Sequence, residues 1–171
     1  MSKFAPSRQT TRLAVGGLLT AMVFLFTYFI KIPAPPSGYI HLGDGIIFLA
    51  GEIIGPFAAV CAGLGSALAD VAGGYAVYAV PTLAIKAAMG AIAGLTLGGA
   101  SDRGLTLRRA AALVLSEAMM VGGYALAESW MFGGASAAAA IPMNLIQGAA
   151  GIVIGIPLCA LGERLKPRLM I

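Results

Sequence analysis

Apolar residues run along this chain in long, almost uncharged blocks, without the period-two alternation of half-buried strands or the half-polar stripe of surface helices. The blocks fall at about Leu13 to Ile30, Gly38 to Gly55, Pro56 to Gly74, Tyr75 to Ala100, Ala110 to Met131 and Ala137 to Leu161. The shortest hold about 18 residues, roughly 27 Å of helix, just enough to cross a hydrocarbon core. The pattern predicts an all-α fold, an integral membrane bundle of six transmembrane helices that forms one domain over residues 1–171.

Breaker residues mark the turns. Lys31 and the cluster Pro33, Pro35, Pro36 stop the first span, because proline cannot continue a helix. The stretch from Gly38 to Tyr75 reads as one over-long span or as two short ones folded at Gly55-Pro56, a strong turn signal. Charge decides between them. With two spans and both termini cytoplasmic, Lys3, Arg8, Arg12, Arg103, Arg108, Arg109, Arg164, Lys166 and Arg168 all fall on the inside, as the positive-inside bias expects. A five-span reading would place Arg103, Arg108, Arg109 and the basic C-terminus outside. Lys31 is left in an outer loop, and Lys86 lies deep in an apolar run, where a charge is costly and marks a candidate functional site.

Composition agrees with a lipid solvent: 59% of residues are hydrophobic, 11% are charged, and the mean hydropathy is +0.91. The net charge of +4 is carried by inside-facing loops and tails, so it reads as a topology signal with anionic-lipid contact and not as a nucleic-acid surface. The first span resembles a signal peptide in its basic flank, but it is longer than a signal h-region and further spans follow, which favours an uncleaved helix. Cys61 and Cys159 have neither metal-ligand spacing nor a disulfide pattern and are expected to pack as small apolar residues. Small residues recur at four-residue spacing at Gly17/Ala21, Gly51/Gly55, Gly90/Gly94/Gly98 and Gly151/Gly155, which lets helices approach closely in lipid.

Polar residues inside the blocks are the candidate chemistry. Depth counting at 1.5 Å per residue puts Asp44 and Asp70 in the outer half, and Lys86 level with Glu117 near mid-membrane. A Lys86–Glu117 or Lys86–Asp70 pair would lower the cost of burying the charge. Asn144 and Gln147 share a face of the last span. With Asp44, Asp70, Lys86, Glu128 and Trp130, and with Tyr39, His41, Tyr75 and Tyr78 near the outer mouth, they are expected to form one outward substrate pocket for a small flat polar heterocycle. For the tyrosines and Trp130 the alternative is an interfacial aromatic belt. Glu52, three residues from the inner turn, is expected to snorkel to the interface. There is no GxxxxGK[ST] loop, no HExxH and no Cys/His cluster, so neither nucleotide hydrolysis nor metal chemistry is expected of this chain, and no cofactor is implied.

Several of these residues carry a resemblance. The run His41-Leu-Gly-Asp44-Gly-Ile-Ile-Phe-Leu-Ala-Gly51, Gly55-Pro56, Ser66-Ala-Leu-Ala-Asp70, Gly74-Tyr75, Pro81 and Lys86-Ala-Ala-Met-Gly90-Ala-Ile-Ala-Gly94 resembles the substrate-binding S components of energy-coupling factor (ECF) vitamin transporters, in the riboflavin-type branch. The resemblance implies a multi-pass protein of a prokaryotic plasma membrane that captures a small water-soluble vitamin or precursor from outside. Pyridoxine-like, hydroxymethylpyrimidine-like and flavin substrates lead. It also implies docking on a transmembrane T subunit driven by two cytoplasmic ATPases, with no enzymatic activity in the chain itself. In that family small residues of the first helix form the docking face in an AxxxA-like pattern. Here the stretch reads Ala14-Val-Gly-Gly17-Leu-Leu-Thr-Ala21, with Gly17 in place of the alanine. The Pro33 to Tyr39 segment stands where the family has its lid.

Two other classes are weighed against this reading. A self-sufficient carrier would use Lys86 and Glu117 as a proton or ion site. A membrane-embedded lipid-modifying enzyme would bind metal through Asp44, Asp70 and Glu128, but these lack the clustered spacing of diphosphate-binding motifs.

Overall fold

The computed structural model describes residues 7–34, 38–99 and 104–169, in which six α-helices form a bundle with a short β-hairpin at one end. Lys3, Pro35, Pro36, Ala100, Ser101, Asp102 and Arg103 lie outside the described residues.

Helix α1 (Arg8–Phe29) starts where the Ser7 hydroxyl accepts from the Thr10 N–H at 3.1 Å. It buries one stripe, Gly16, Leu19, Val23 and Thr27, at helical spacing. The chain then forms strands β1 (Lys31–Ala34) and β2 (Gly38–His41), antiparallel with Lys31 opposite His41 and Ala34 opposite Gly38. The span expected from Gly38 therefore begins as a strand, and helix α2 (Gly43–Ile54) starts five residues later. Pairing with β1 takes up backbone groups on one edge of Gly38 to His41, and the His41 N–H is taken by Gln147 instead.

Every residue of α2 is buried, which makes it the central helix of the bundle. At Gly55–Phe57 a 3₁₀ turn with Gly55 at φ 60° leads into helix α3 (Ala58–Gly73). Helix α4 (Ala79–Leu97) fixes the directions of both. A Cβ on Gly51 would lie 3.0 Å from Ala93 and one on Gly98 2.6 Å from Gly55, so α2 and α4 run parallel in close contact. A Cβ on Gly90 would meet Ala58 at 2.7 Å and one on Gly63 would meet Leu83 at 2.9 Å, so α3 runs antiparallel to α4. The chain thus reverses at Gly55-Pro56. Glycine at these positions removes the side chains that would hold the helices apart.

Gly74, left-handed at φ 86°, ends α3, and a second 3₁₀ turn at Ala76–Tyr78 delays α4 past the expected start at Tyr75. Helix α5 (Leu107–Phe132) begins three residues before the expected boundary because the Thr106 hydroxyl caps it, accepting from the Arg109 N–H. Helix α6 (Gly134–Leu169) extends beyond the expected end at Leu161. Its 36 residues amount to about 54 Å, so its basic end projects out of a hydrocarbon core of about 30 Å.

Among the described residues, five helical segments are long and apolar enough to cross a membrane, with Gly43–Gly73 counted as one. Taken singly, α2 and α3 are about 18 and 24 Å long, shorter than a full crossing. Leucines and valines stand exposed around the outside, including Leu18, Val80, Leu126 and Val153, as a lipid-facing surface requires. The chain is an all-α, multi-pass membrane bundle.

Candidate functional site

One cavity opens at the end of the bundle where the β-hairpin folds over α2, α3, α4, α5 and α6. Its volume, open mouth included, is ≈ 490 Å³. Tyr39, His41, Asp70, Tyr78, Glu128, Asn144 and Gln147 line it, as expected from sequence, together with Ala34, Gly38, Thr82, Tyr124, Ala140 and Met143.

The hairpin is held down on both sides. The Tyr39 hydroxyl donates to Asp70 Oδ1 at 2.6 Å, and burial, then the Asp70 charge, pushes the Tyr39 pKa upward, so it stays a phenol that donates. The Tyr39 ring packs at 4.7 Å against Tyr75. Lys31 Nζ lies 4.8 Å from the Tyr28 ring centroid and 5.5 Å from those of Tyr39 and Tyr75, within cation–π range. On the far side the His41 backbone N–H donates to Gln147 Oε1 at 3.2 Å. The His41 ring accepts the Gly43 N–H on Nδ1 at 3.0 Å, and burial, only partly offset by Asp44, pushes its pKa down to about 4. His41 is therefore neutral at physiological pH.

Beneath the lid lies a buried polar chain. Gln147 Nε2 donates to Asp44 Oδ2 at 2.7 Å, and the other Asp44 oxygen is paired with Lys86. The acid that Lys86 takes is thus neither Glu117 nor Asp70. Asp44 stands eleven residues above Gly55 on α2, level with Lys86 twelve residues above Gly98 on the parallel α4. Neither Asp44 nor Lys86 lines the cavity; both support it from below. Glu117 lies close by against Gly148 and Gly151 of α6, 4% exposed, and neither of its carboxyl oxygens has a hydrogen-bond partner.

Two expected site residues fall elsewhere. Trp130 is 89% exposed and points out of the bundle, at the position an interfacial belt would give it. Tyr75 backs Tyr39 from outside the cavity. Glu52 does not snorkel: it is 2% exposed and paired with Arg109 at 3.3 Å, and Arg109 also pairs with Glu163, tying α2, α5 and α6 together at the other end of the bundle. The reason is geometric, since α6 continues past Leu161 and carries Glu163 over that end. Thr82 and Tyr124, which share a 3.0 Å hydrogen bond across the cavity, were not expected there. Their spacing held the signal: Thr82 is one turn from Lys86, and Tyr124 one turn from Glu128.

Three polar atoms around the cavity make no hydrogen bond: Asp70 Oδ2, Glu128 Oε2 and Asn144 Nδ2. Glu128 Oε1 accepts from the Tyr78 hydroxyl at 3.4 Å, so each carboxyl has one oxygen engaged and one open. Among the described residues no three His, Cys, Asp or Glu side chains are grouped to hold a metal ion, so Asp44, Asp70 and Glu128 form no metal centre. The first helix presents Ala14, Gly17 and Ala21 on its exposed side, opposite the buried stripe.

The described residues thus form a multi-pass membrane bundle with a polar cavity at one end, covered by the hairpin. The model of the ECF-type riboflavin transporter S component family matches residues 7–164, so the chain belongs to the S components of ECF-type transporters. These are transporter subunits, not enzymes. Among relatives, the chain is 30% identical to the "Thiamine precursor transporter HmpT" of Lactococcus lactis subsp. cremoris, over 95% of this chain and 93% of the relative. It is 37% identical to an uncharacterized protein of Pyrococcus woesei, over 86% of this chain and 96% of that protein.

Proposed function

We propose that this S component captures a small water-soluble vitamin or vitamin precursor from the outside in the cavity beneath the hairpin. It then delivers its ligand through a T subunit and two cytoplasmic ATPases. The observation that carries this reading is the cavity itself, lidded by Tyr39 and His41 and ringed by unpaired polar atoms that a ligand would complete. The three leading substrates are hydroxymethylpyrimidine-like, pyridoxine-like and flavin compounds; the thiamine-precursor relative favours the first.

In this reading the chain crosses the membrane six times, α2 and α3 forming a short re-folded pair, with both termini and the Arg109 end cytoplasmic. The membrane is a prokaryotic plasma membrane. The exposed Ala14, Gly17 and Ala21 are the docking face for the T subunit. Small residues standing among exposed Leu13, Leu18 and Leu25 support that role, because they allow a partner helix to come close.

One observation favours a second reading. The unpartnered Glu117 carboxyl beside the Lys86–Asp44 pair is what a proton- or ion-coupled carrier would need. Uptake into vesicles carrying the chain with its T and ATPase partners, compared with the chain alone, separates the two. ATP-dependent uptake that disappears without the partners is the expected result, and uptake by the chain alone along an ion gradient contradicts it.

A further inference from the structure

Lys31 opens the hairpin at the cavity end of the bundle, directly after α1. Among the described residues it forms no ion pair. Its ammonium stands instead among three aromatic faces, 4.8 Å from the Tyr28 ring centroid and 5.5 Å from those of Tyr39 and Tyr75, where a ring quadrupole attracts a cation. Arg12 and Lys86 each face one ring, so three rings around one ammonium mark a cage.

The cage is assembled from separate parts of the chain. Tyr28 belongs to the last turn of α1, Tyr75 to the connection between α3 and α4, and Tyr39 to strand β2 of the hairpin. Lys31 follows two residues after α1 and stays with this frame, so Tyr39 is the wall that leaves when the hairpin lifts. The cage is therefore complete only while the hairpin covers the cavity.

The seat of the ammonium is also fixed from behind. A Cβ on Gly73 would stand 2.8 Å from Lys31 Nζ, which sets the ammonium against the C-terminal end of α3, where the backbone carries partial negative charge. Tyr39 is gripped at both ends. Its hydroxyl donates to Asp70 Oδ1 at 2.6 Å, which adds electron density to the ring that Lys31 faces, so the two contacts reinforce each other. Lys31, Tyr28 and Tyr75 are half-buried, and a cation–π contact there is worth more than on an open surface.

We propose that Lys31 is the latch of the hairpin: its ammonium, seated between Tyr28 and Tyr75 of the frame, draws the Tyr39 ring down over the cavity and sets how often the mouth opens. Lys31 does not line the cavity and acts through Tyr39, as a positioning residue. Its consequence for ligand retention rests on the reading of the cavity as the substrate site.

Amide hydrogen exchange of the purified chain tests the latch, because it reads the opening of Gly38 to His41 separately from the unfolding of α2. No ligand enters the experiment, so failure of the latch and failure of vitamin capture are distinguishable. Lys31→Met, which keeps the apolar stem and removes the charge, is expected to speed exchange over Gly38 to His41 about two- to thirtyfold while the amides of α2 keep their rate. Lys31→Arg, still a cation that packs on rings, stays within about twofold of the unaltered chain. Tyr28→Leu removes a wall from the frame side and opens the hairpin in the same way, and it decides alone if Lys31→Met does not fold. The double variant opens no further than the stronger single one, since both changes remove the same contact. Unchanged exchange over Gly38 to His41, or equal acceleration in α2, overturns the latch. Lys31→Arg as fast as Lys31→Met, or additive effects of Lys31→Met and Tyr28→Leu, overturns it as well, because the ammonium would then act on Asp70 by charge and not through the cage.

Discussion

Lys86 of α4 and Asp44 of α2 form an ion pair in which neither side chain keeps any exposed surface. Asp44 also accepts from Gln147, and Gln147 accepts the backbone N–H of His41 in the lid, so the pair anchors a polar chain that ends at the cavity. Its two members depend on each other, because removing one leaves the other charge buried and uncompensated.

Lys86→Met is therefore expected to destabilise the bundle by about 3–5 kcal/mol, while the double variant Lys86→Met/Asp44→Asn recovers most of that loss. Denaturant unfolding in detergent measures both. The folded fraction of Lys86→Met keeps its vitamin affinity within a few fold, because Lys86 lies beneath the cavity and does not line it. A large loss of affinity without loss of stability would show that Lys86 contacts the ligand.

Gln147→Ala removes the acceptor that holds the lid strand and a donor to Asp44. The expected cost is about 1 to 3 kcal/mol, a five- to 150-fold loss of affinity. Since the bond holds a closed lid, the change should appear as faster dissociation in stopped-flow measurements. An effect confined to the association rate would mean that the hairpin is not what retains the ligand.

The bundle was legible in the sequence because lipid imposes it: long apolar blocks, basic loops and the Gly55-Pro56 breaker all follow from hydrocarbon thickness and backbone satisfaction. The same depth counting misassigned the partner of Lys86. It ran α4 from Tyr75, whereas the 3₁₀ turn at Ala76–Tyr78 starts α4 at Ala79 and leaves Lys86 level with Asp44. Seven of the eleven expected site residues do line the cavity, since polar residues at the outer ends of neighbouring helices have little else to face. Trp130 shows the limit of that reasoning, because helix rotation, which hydropathy does not encode, turns it outward. The burial of Glu52 depended on how far α6 continues past its apolar block, and no local pattern records that length.

On the exposed side of α1 nothing lies within 4 Å of a Cβ added at Gly17, whereas one added at Gly16 would stand 2.6 Å from the Phe57 ring. Gly17→Leu and Ala21→Leu are accordingly expected to fold and bind ligand normally yet abolish uptake, by holding a partner helix away. Gly16→Leu is expected to lower stability in detergent. Parallel loss of binding and uptake in Gly17→Leu would make that face part of the internal packing.

His41 gives the chain a dependence on pH. Its folded pKa of about 4 lies below the ordinary 6.5 because burial disfavours the imidazolium, and protonation would also remove the Nδ1 acceptor of the Gly43 N–H. The unfolded chain takes the proton first as pH falls. The contribution is thus full above about pH 6.5 and is lost between there and pH 4, about 3 kcal/mol across the window. Unfolding of His41→Gln over the same range should lack this component of the decline; identical pH profiles would show that His41 does not titrate with folding.

Native mass spectrometry of the purified chain tests vitamin capture most directly, by releasing and identifying whatever occupies the cavity. The account predicts a one-to-one adduct of a small heterocycle on the unaltered protein, sharply reduced in Asn144→Ala, which removes the open amide donor at the cavity wall. An adduct retained at full occupancy in both Asn144→Ala and Gln147→Ala would place the ligand elsewhere and contradict the account.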